Sequence, residues 1–152
     1  MFEIEGTKNP DEIVIKTATK NITINMGEFT VDAGLEVGKL TGPGEFEVGE
    51  ATIRGIGVGE NKASTIYDIE IGGVHIGVTA GIEDGLDDLG ISDILCTTSV
   101  RAVREISPKL VIAMGNVDGM VTELKLTART EKKIKVKKLE DLPLALEVVV
   151  LN

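Results

Sequence analysis

The 152-residue chain carries one histidine and one cysteine, so chemistry that needs paired imidazoles or paired thiols is closed to it. His75 follows the glycine pair Gly72-Gly73 and reads as a surface or hairpin histidine. Cys96 ends the apolar run Ile94-Leu95-Cys96 and reads as a buried strand cysteine, because no His or Asn partner that would make it a nucleophile is evident. A single cysteine also excludes an intramolecular disulfide. Glu83, Asp84, Asp87 and Asp88 form the one dense carboxylate cluster. Carboxylates alone suit Mg²⁺ or Ca²⁺, but this spacing lacks the glycine and terminal Glu of an EF-hand loop. Asp84 and Asp88 would stand four apart on a helix, where like charges are mildly destabilising. The cluster reads first as a solvated helix face, with a weak cation site or an interface contact as the alternative. Ser64, Ser92, Ser99 and Ser107 lack a G-x-S-x-G context and a spare histidine for a triad. The run Gly55-Ile56-Gly57-Val58-Gly59 superficially resembles a phosphate loop. It lacks the Lys-Ser/Thr of a P-loop and no helix signal follows, so it reads as a flexible loop.

The elements that must position these residues are mostly strands. Apolar residues make up 42% of the chain and are mainly Ile, Val and Leu, which favours sheet and excludes wholesale disorder. The length fits one domain with its own core. Alternation predicts strands over 12–17 and 21–26, with a hairpin turn at Lys20-Asn21. A short strand follows over 28–32, then a glycine-rich loop over 34–44. Strands are expected at 46–48 and 51–56, and a loop over 57–63. Residues 65–71 and 74–79 form a hairpin around the two-residue turn Gly72-Gly73. The rhythm then changes. A short helix is expected over 83–89 and a strand over 91–97. A helix over 99–106 has Ser99 as N-cap and stops before Pro108. A strand buried on both faces is expected over 110–114, with a helix over 119–124. Strands over 133–137 and 146–151 complete the set. The strand–helix–strand order over 91–114 argues for a parallel βαβ unit.

Charge bounds the partners. The net charge is −9, which disfavours nucleic acid. No basic patch carries interleaved aromatics to stack bases. Between residues 40 and 96 acidic residues outnumber basic ones 11 to 2, whereas between 101 and 140 basic residues lead 10 to 5. These runs read as two differently solvated faces, or as complementary patches on a self-associating subunit. No apolar run approaches a membrane span of about 18 residues. The N-terminal stretch lacks the apolar core of a signal peptide, so a cytoplasmic location is expected.

Several segments, in order, resemble one family. Residues 41–56 read TGPGEFEVGEATIRGI, which resembles the GPGEYE segment of small metallo-β-lactamase-fold hydrolases close to the UlaG-like lactonases. Ser64-Thr65-Ile66-Tyr67 resembles their NTIY strand, and Ile71-Gly72-Gly73-Val74-His75-Ile76 their next hairpin. Leu89-Gly90-Ile91-Ser92-Asp93-Ile94-Leu95 is similar to LGDVDVLL. Ser107-Pro108-Lys109-Leu110-Val111-Ile112-Ala113-Met114 is similar to xPKIVIPM. Leu139-Glu140-Asp141-Leu142-Pro143 and Val148-Val149-Val150-Leu151 resemble the last strand. The resemblance implies an α+β fold of αββα type: a sandwich of mixed sheets flanked by helices, here truncated, with few helices and a β-rich N-terminal half.

That family's chemistry rests on two divalent ions bridged by a hydroxide whose pKa they lower. The ligands come mainly from an HxHxDH loop, a further His, a bridging Asp and a final His. The loop has no counterpart here, since residues 33–40 contain no histidine. Gly81 stands where the bridging Asp would be, and Gly115 where the final His would be. The resemblance therefore implies degenerate ligand positions at Gly81 and Gly115, with no metal, cofactor or catalytic residue. The lost loop normally leads into a helix covering one sheet, so uncovered apolar sheet surface is expected, and such patches usually become interfaces. The leading expectation is a non-catalytic, self-associating or protein-binding subunit. The alternatives are a regulatory pseudoenzyme holding a small ligand in the old cleft, roomier for the two glycines, or a hydrolase with an unusual metal site.

Overall fold

A computed structural model describes residues 1–115 and 117–152. Strands β1 (Phe2–Gly6), β2 (Glu12–Lys16), β3 (Asn21–Asn25), β4 (Thr30–Asp32) and β5 (Leu40–Thr41) build most of a first sheet. Strands β6 (Gly44–Val48), β7 (Ala51–Val58), β8 (Ser64–Ile71) and β9 (Val74–Ala80) begin a second. It continues through helix α1 (Leu86–Leu89), β10 (Ile94–Thr97), α2 (Val100–Ile106), β11 (Leu110–Ala113), α3 (Val117–Leu124) and β12 (Ala128–Glu131). Strand β13 (Lys133–Val136) returns to the first sheet, and β14 (Glu147–Leu151) ends the chain in the second. The spatial orders are β13-β1-β2-β3-β4-β5 and β12-β14-β11-β10-β9-β8-β7-β6.

Period-two alternation turns into cross-strand ladders. In the first sheet Ile134, Ile4, Ile15 and Ile22 stand opposite one another in turn, and Ile13, Ile24 and Val31 form a second row. In the second sheet Ile53, Ile69, Ile76, Ile94 and Leu110 make one continuous row. All of these side chains are buried and belong to one apolar cluster. Stiff β-branched side chains fit such pleated surfaces well.

The outward face of the first sheet is polar. Lys16 pairs with Glu5 at 3.0 Å, while Lys133 and Lys135 reach Glu3 at 3.5 and 3.9 Å. Helix α1 packs on β8, α2 on β10, and α3 on α2, so the helices gather on the second sheet. The uncovered apolar surface expected from a shortened front is therefore not found on the first sheet. The same alternation that buries its isoleucines turns charged and polar side chains outward, and these need no cover. The helices of the described residues are all too short or too polar to cross a membrane.

The sheet edges are joined by tight corners. Only Gly42-Pro43 separate β5, at an edge of the first sheet, from β6, at an edge of the second. Only Lys132 separates β12 from β13 at the opposite edges. The Gly55–Gly59 run belongs to the first corner and is not a flexible loop, since β7 extends to Val58. A Cβ on Gly55 would lie 3.1 Å from the Gly42 carbonyl oxygen and 3.2 Å from Thr65 Cγ2. The glycine is there because the corner backbone packs directly on the strand.

Other departures are local. The Gly72-Gly73 turn has φ of 56° and 83°, as a two-residue hairpin of this twist requires. Phe29 at φ 56° delays β4 to Thr30, against the expected strand over 28–32. Helix α1 starts only at Leu86, so Asp84 lies outside it and the expected helical pairing with Asp88 does not form. Strands β1 and β12 have no counterpart among the predicted elements, although Phe2 and Ile4 alternate with Glu3 and Glu5.

Gly55→Val should cost about 1–3 kcal/mol through overpacking at the corner, read as a lower urea midpoint; an unchanged midpoint would mean the corner does not rest on β7. Alkali gives a second test. Burial pushes the Cys96 thiol from 9.0 up to about 12. Burial likewise pushes Tyr67 from 10.0 up to about 12, only partly offset by the Thr65 hydroxyl. Both groups hold their protons more tightly folded than unfolded. Their contribution is complete below about pH 9 and is lost as the pH rises towards about 12. Melting temperatures should fall across that window, and Cys96→Ala should flatten the slope.

Candidate functional site

Strands β9, β10, β11 and β14 run parallel. Their carboxyl ends therefore meet at one edge of the second sheet, where open sheets of this kind collect ligands. Gly81 follows β9, Thr98 follows β10, and Gly115 lies just past β11. These three positions converge. A Cβ on Gly81 would lie 3.3 Å from Thr98 Oγ1, and one on Gly115 would lie 3.8 Å from Thr98 Cγ2. Gly81 and Gly115 thus flank one half-buried threonine.

A chain of hydroxyls holds this edge. Strand β9 ends at Ala80 with φ 48°, a conformation that costs a non-glycine residue of the order of 1–3 kcal/mol. Its carbonyl accepts from Thr97 Oγ1 at 2.8 Å and from the Thr98 amide at 2.9 Å. Thr79 Oγ1 donates to Thr97 Oγ1 at 2.9 Å, and both residues are fully buried. Thr97 Oγ1 also accepts from the Ser99 amide at 3.1 Å. Ser99 is the N-cap of α2 as expected, accepting from the Ala102 amide at 3.0 Å. Its hydroxyl donates to the Glu83 carboxylate.

That bond splits the acidic cluster. Glu83 is tied to the carboxyl edge, while Asp84, Asp87 and Asp88 stay exposed along α1 and the turn before it. Arg101 lies among them, bonded to Glu105 at 2.9 Å. Its guanidinium is held above its ordinary range by Glu105 first, then by Glu83 and more weakly by Asp84. A cation of the chain itself therefore already faces these carboxylates.

Two hollows open here. One, of about 350 Å³, is bordered by Ser64, Gly81, Glu83 and Arg101. The other, of about 240 Å³, lies between the sheets beside Gly115. Its floor is Ile13, Ile112, Met114 and Val150, and its mouth is the β1–β2 turn with Thr7, Lys8, Asn9 and Glu12. Nothing in the sequence patterns marked that turn, because its residues gain a role only when β1 pairs beside β2 over the end of β11.

A metal pair of the kind the resemblance implies needs converging imidazole and carboxylate donors. Among the described residues, the side-chain donors nearest Gly81 and Thr98 are the hydroxyls of Thr79, Thr97, Thr98 and Ser99, plus Glu83. Among the described residues no group of three or more His, Cys, Asp or Glu side chains is placed to hold a metal ion. The donor set does not fit the metal pair. His75 is remote, six residues back along β9 from Gly81, which is roughly 20 Å at strand rise.

His75 has a different setting. Its Nδ1 lies 3.1 Å from Asp68 Oδ1, and its backbone amide donates to Asp93 at 2.8 Å. Arg54 lies 3.5 Å from the other Asp68 oxygen and donates to the carbonyls of Asp88 and Leu89 at the end of α1. This cluster ties α1 to the sheet. It was findable from the Gly72-Gly73 turn, whose register sets Glu70 opposite His75 and brings Asp68 diagonal to it. Cys96 is fully buried in β10, as expected, with its thiol deprotonation suppressed by burial.

No protein-family model matches this sequence, and no curated protein matches it at a significant level. Among solved structures, a candidate Zn-dependent hydrolase of the metallo-β-lactamase superfamily from Thermotoga maritima is similar over 100% of both chains, with a TM-score of 0.71 at 12% sequence identity. Likeness at that identity is likeness of fold: the chain has the β-rich, two-sheet α+β architecture of the metallo-β-lactamase superfamily.

Proposed function

We propose that this chain is a degenerate, non-catalytic relative of the UlaG-like branch, which holds a small ligand in the cleft beside Gly115 in place of a metal pair. One observation carries the reading: the cleft beside Gly115 joins an apolar floor of Ile13, Ile112, Met114 and Val150 to the polar β1–β2 turn, while the described side-chain donors around Thr98 at the carboxyl edge are mostly hydroxyls. Hydroxyls at ordinary pH keep their protons and are poor zinc ligands compared with imidazole or thiolate. The apolar floor and polar mouth of the cleft are the usual lining of a small-molecule site.

Self-association is a second reading, favoured by the segregated charge. Asp84, Asp87 and Asp88 are exposed at one place, and Lys132, Lys133, Lys135, Lys137 and Lys138 at another. An interface between such patches would be steered by charge and weakened by salt.

Purified protein should carry Zn, Mn and Fe far below stoichiometric amounts, and chelation should leave its melting temperature unchanged. One equivalent of any of these metals in elemental analysis would overturn the non-catalytic reading. A cleft ligand present at about a hundred times its Kd should add about 2.7 kcal/mol of stability, visible in a thermal-shift screen. Light scattering after size exclusion at low and high salt tests the second reading, which a strict monomer in both would sink.

A further inference from the structure

We infer that β12 is a self-complementary sheet edge, and that a second copy of this chain pairs with it antiparallel about Thr130 to give a two-fold dimer. The inference rests on the self-association reading and names its surface.

Strand β12 ends the second sheet, with β14 as its one neighbour. Arg129, Thr130 and Glu131 are exposed. The carbonyl of Glu131 turns towards β14, accepting from the Asn152 amide at 3.1 Å. Backbone groups alternate sides along a strand, so Thr130 turns its N–H and C=O away from the sheet. Among the described residues neither group has a partner. An exposed edge of this kind is a template for another strand.

The side chains select that strand. When β12 meets its own copy antiparallel, with Thr130 on the two-fold axis, Arg129 of each copy stands opposite Glu131 of the other. The two Thr130 residues then exchange both backbone bonds. The flanking Arg129–Glu131 pairs take the non-hydrogen-bonded positions, where side chains come closer. Among the described residues Glu131 has no cation within 4.0 Å, whereas Arg129 Nη2 lies 3.4 Å from Glu147 and its fork keeps further donors. The neighbouring cations do not oppose this register. Lys132 falls opposite Ala128 of the second copy. Lys133 and Lys135 lie in the first sheet, where both reach Glu3. The other edges lack this complementarity. Self-pairing of β6 about Phe46 would set Glu45 against Glu47, and self-pairing of β13 about Ile134 would set Lys133 against Lys135. Strand β5 is only two residues long.

Sedimentation velocity over a concentration series tests the assignment. The wild-type chain should form dimers and nothing larger. Arg129→Glu and Glu131→Arg each set like charges opposite, and each should weaken the dimer about tenfold or more. An equimolar mixture of the two variants restores opposite charges across the axis, as does the double exchange in one chain. Both should dimerise near the wild-type level. Thr130→Pro removes an outward donor only, so it should keep its melting temperature and lose the dimer. Dimers unchanged in these variants, loss without rescue in the mixture, or an assembly larger than a dimer would overturn the β12 contact and leave the self-association reading standing. A strict monomer at the highest soluble concentration would overturn both.

Discussion

The structure depends on two facing sets of isoleucines. Ile4, Ile15 and Ile22 line one sheet and Ile53, Ile69 and Ile76 the other, each fully buried. Burying one such side chain contributes about 1.5–3 kcal/mol, and the stiffness of β-branched rotamers fixes how the sheets seat on each other. Register follows from this constraint. A slip by one residue in β2 would bring Glu12, Val14 and Lys16 inward and turn Ile13 and Ile15 to water. The outward charges, and the ion pairs among them, are the other half of the same pattern. Those exposed pairs add little energy themselves.

Because the sheets must close over this core, their edges are drawn together. The two-residue and one-residue corners leave little room for a strand to be added between the sheets at either side. They also explain Gly55 of β7, where the corner backbone lies against the strand. The open part of the sandwich is consequently its end, at the carboxyl termini of the parallel strands. Chemistry in a fold of this kind belongs there because backbone changes direction, side chains converge from several strands, and water can enter between the sheets.

The two ends of β9 divide the polar residues into distinct systems. At its start, Asp68, His75 and Arg54 bind the loop carrying α1 to the sheet through one nearly buried carboxylate. At its end, Thr79, Thr97 and Ser99 pass hydrogen bonds from the strand to α2 and Glu83. The first system is structural in its geometry, with both Asp68 oxygens facing cations or potential cations. The second stabilises the turn at Ala80 and holds Thr98 between two glycines, so the open space at this edge is maintained by buried hydroxyls beneath it.

Sequence alone determined the elements whose signal is local. The Gly72-Gly73 hairpin, the Ser99 cap, the doubly buried β11 and the parallel pair β10–β11 all follow from spacing within about twenty residues, where backbone sterics and burial act directly. Gly81 and Gly115 drew notice in the sequence only through a resemblance. Only the tertiary structure brought them together around Thr98, because their meeting depends on parallel strand order. Only it placed Thr7, Lys8 and Asn9 over the end of β11, separated Glu83 from its acidic neighbours, and showed the first sheet needing no helix over it. Strand β1 went unread because an alternation of two apolar residues is too short to stand out until β2 and β13 pair on either side of it. Local pattern states what a segment prefers; which segments become neighbours is settled by how the buried rows of one sheet seat on those of the other.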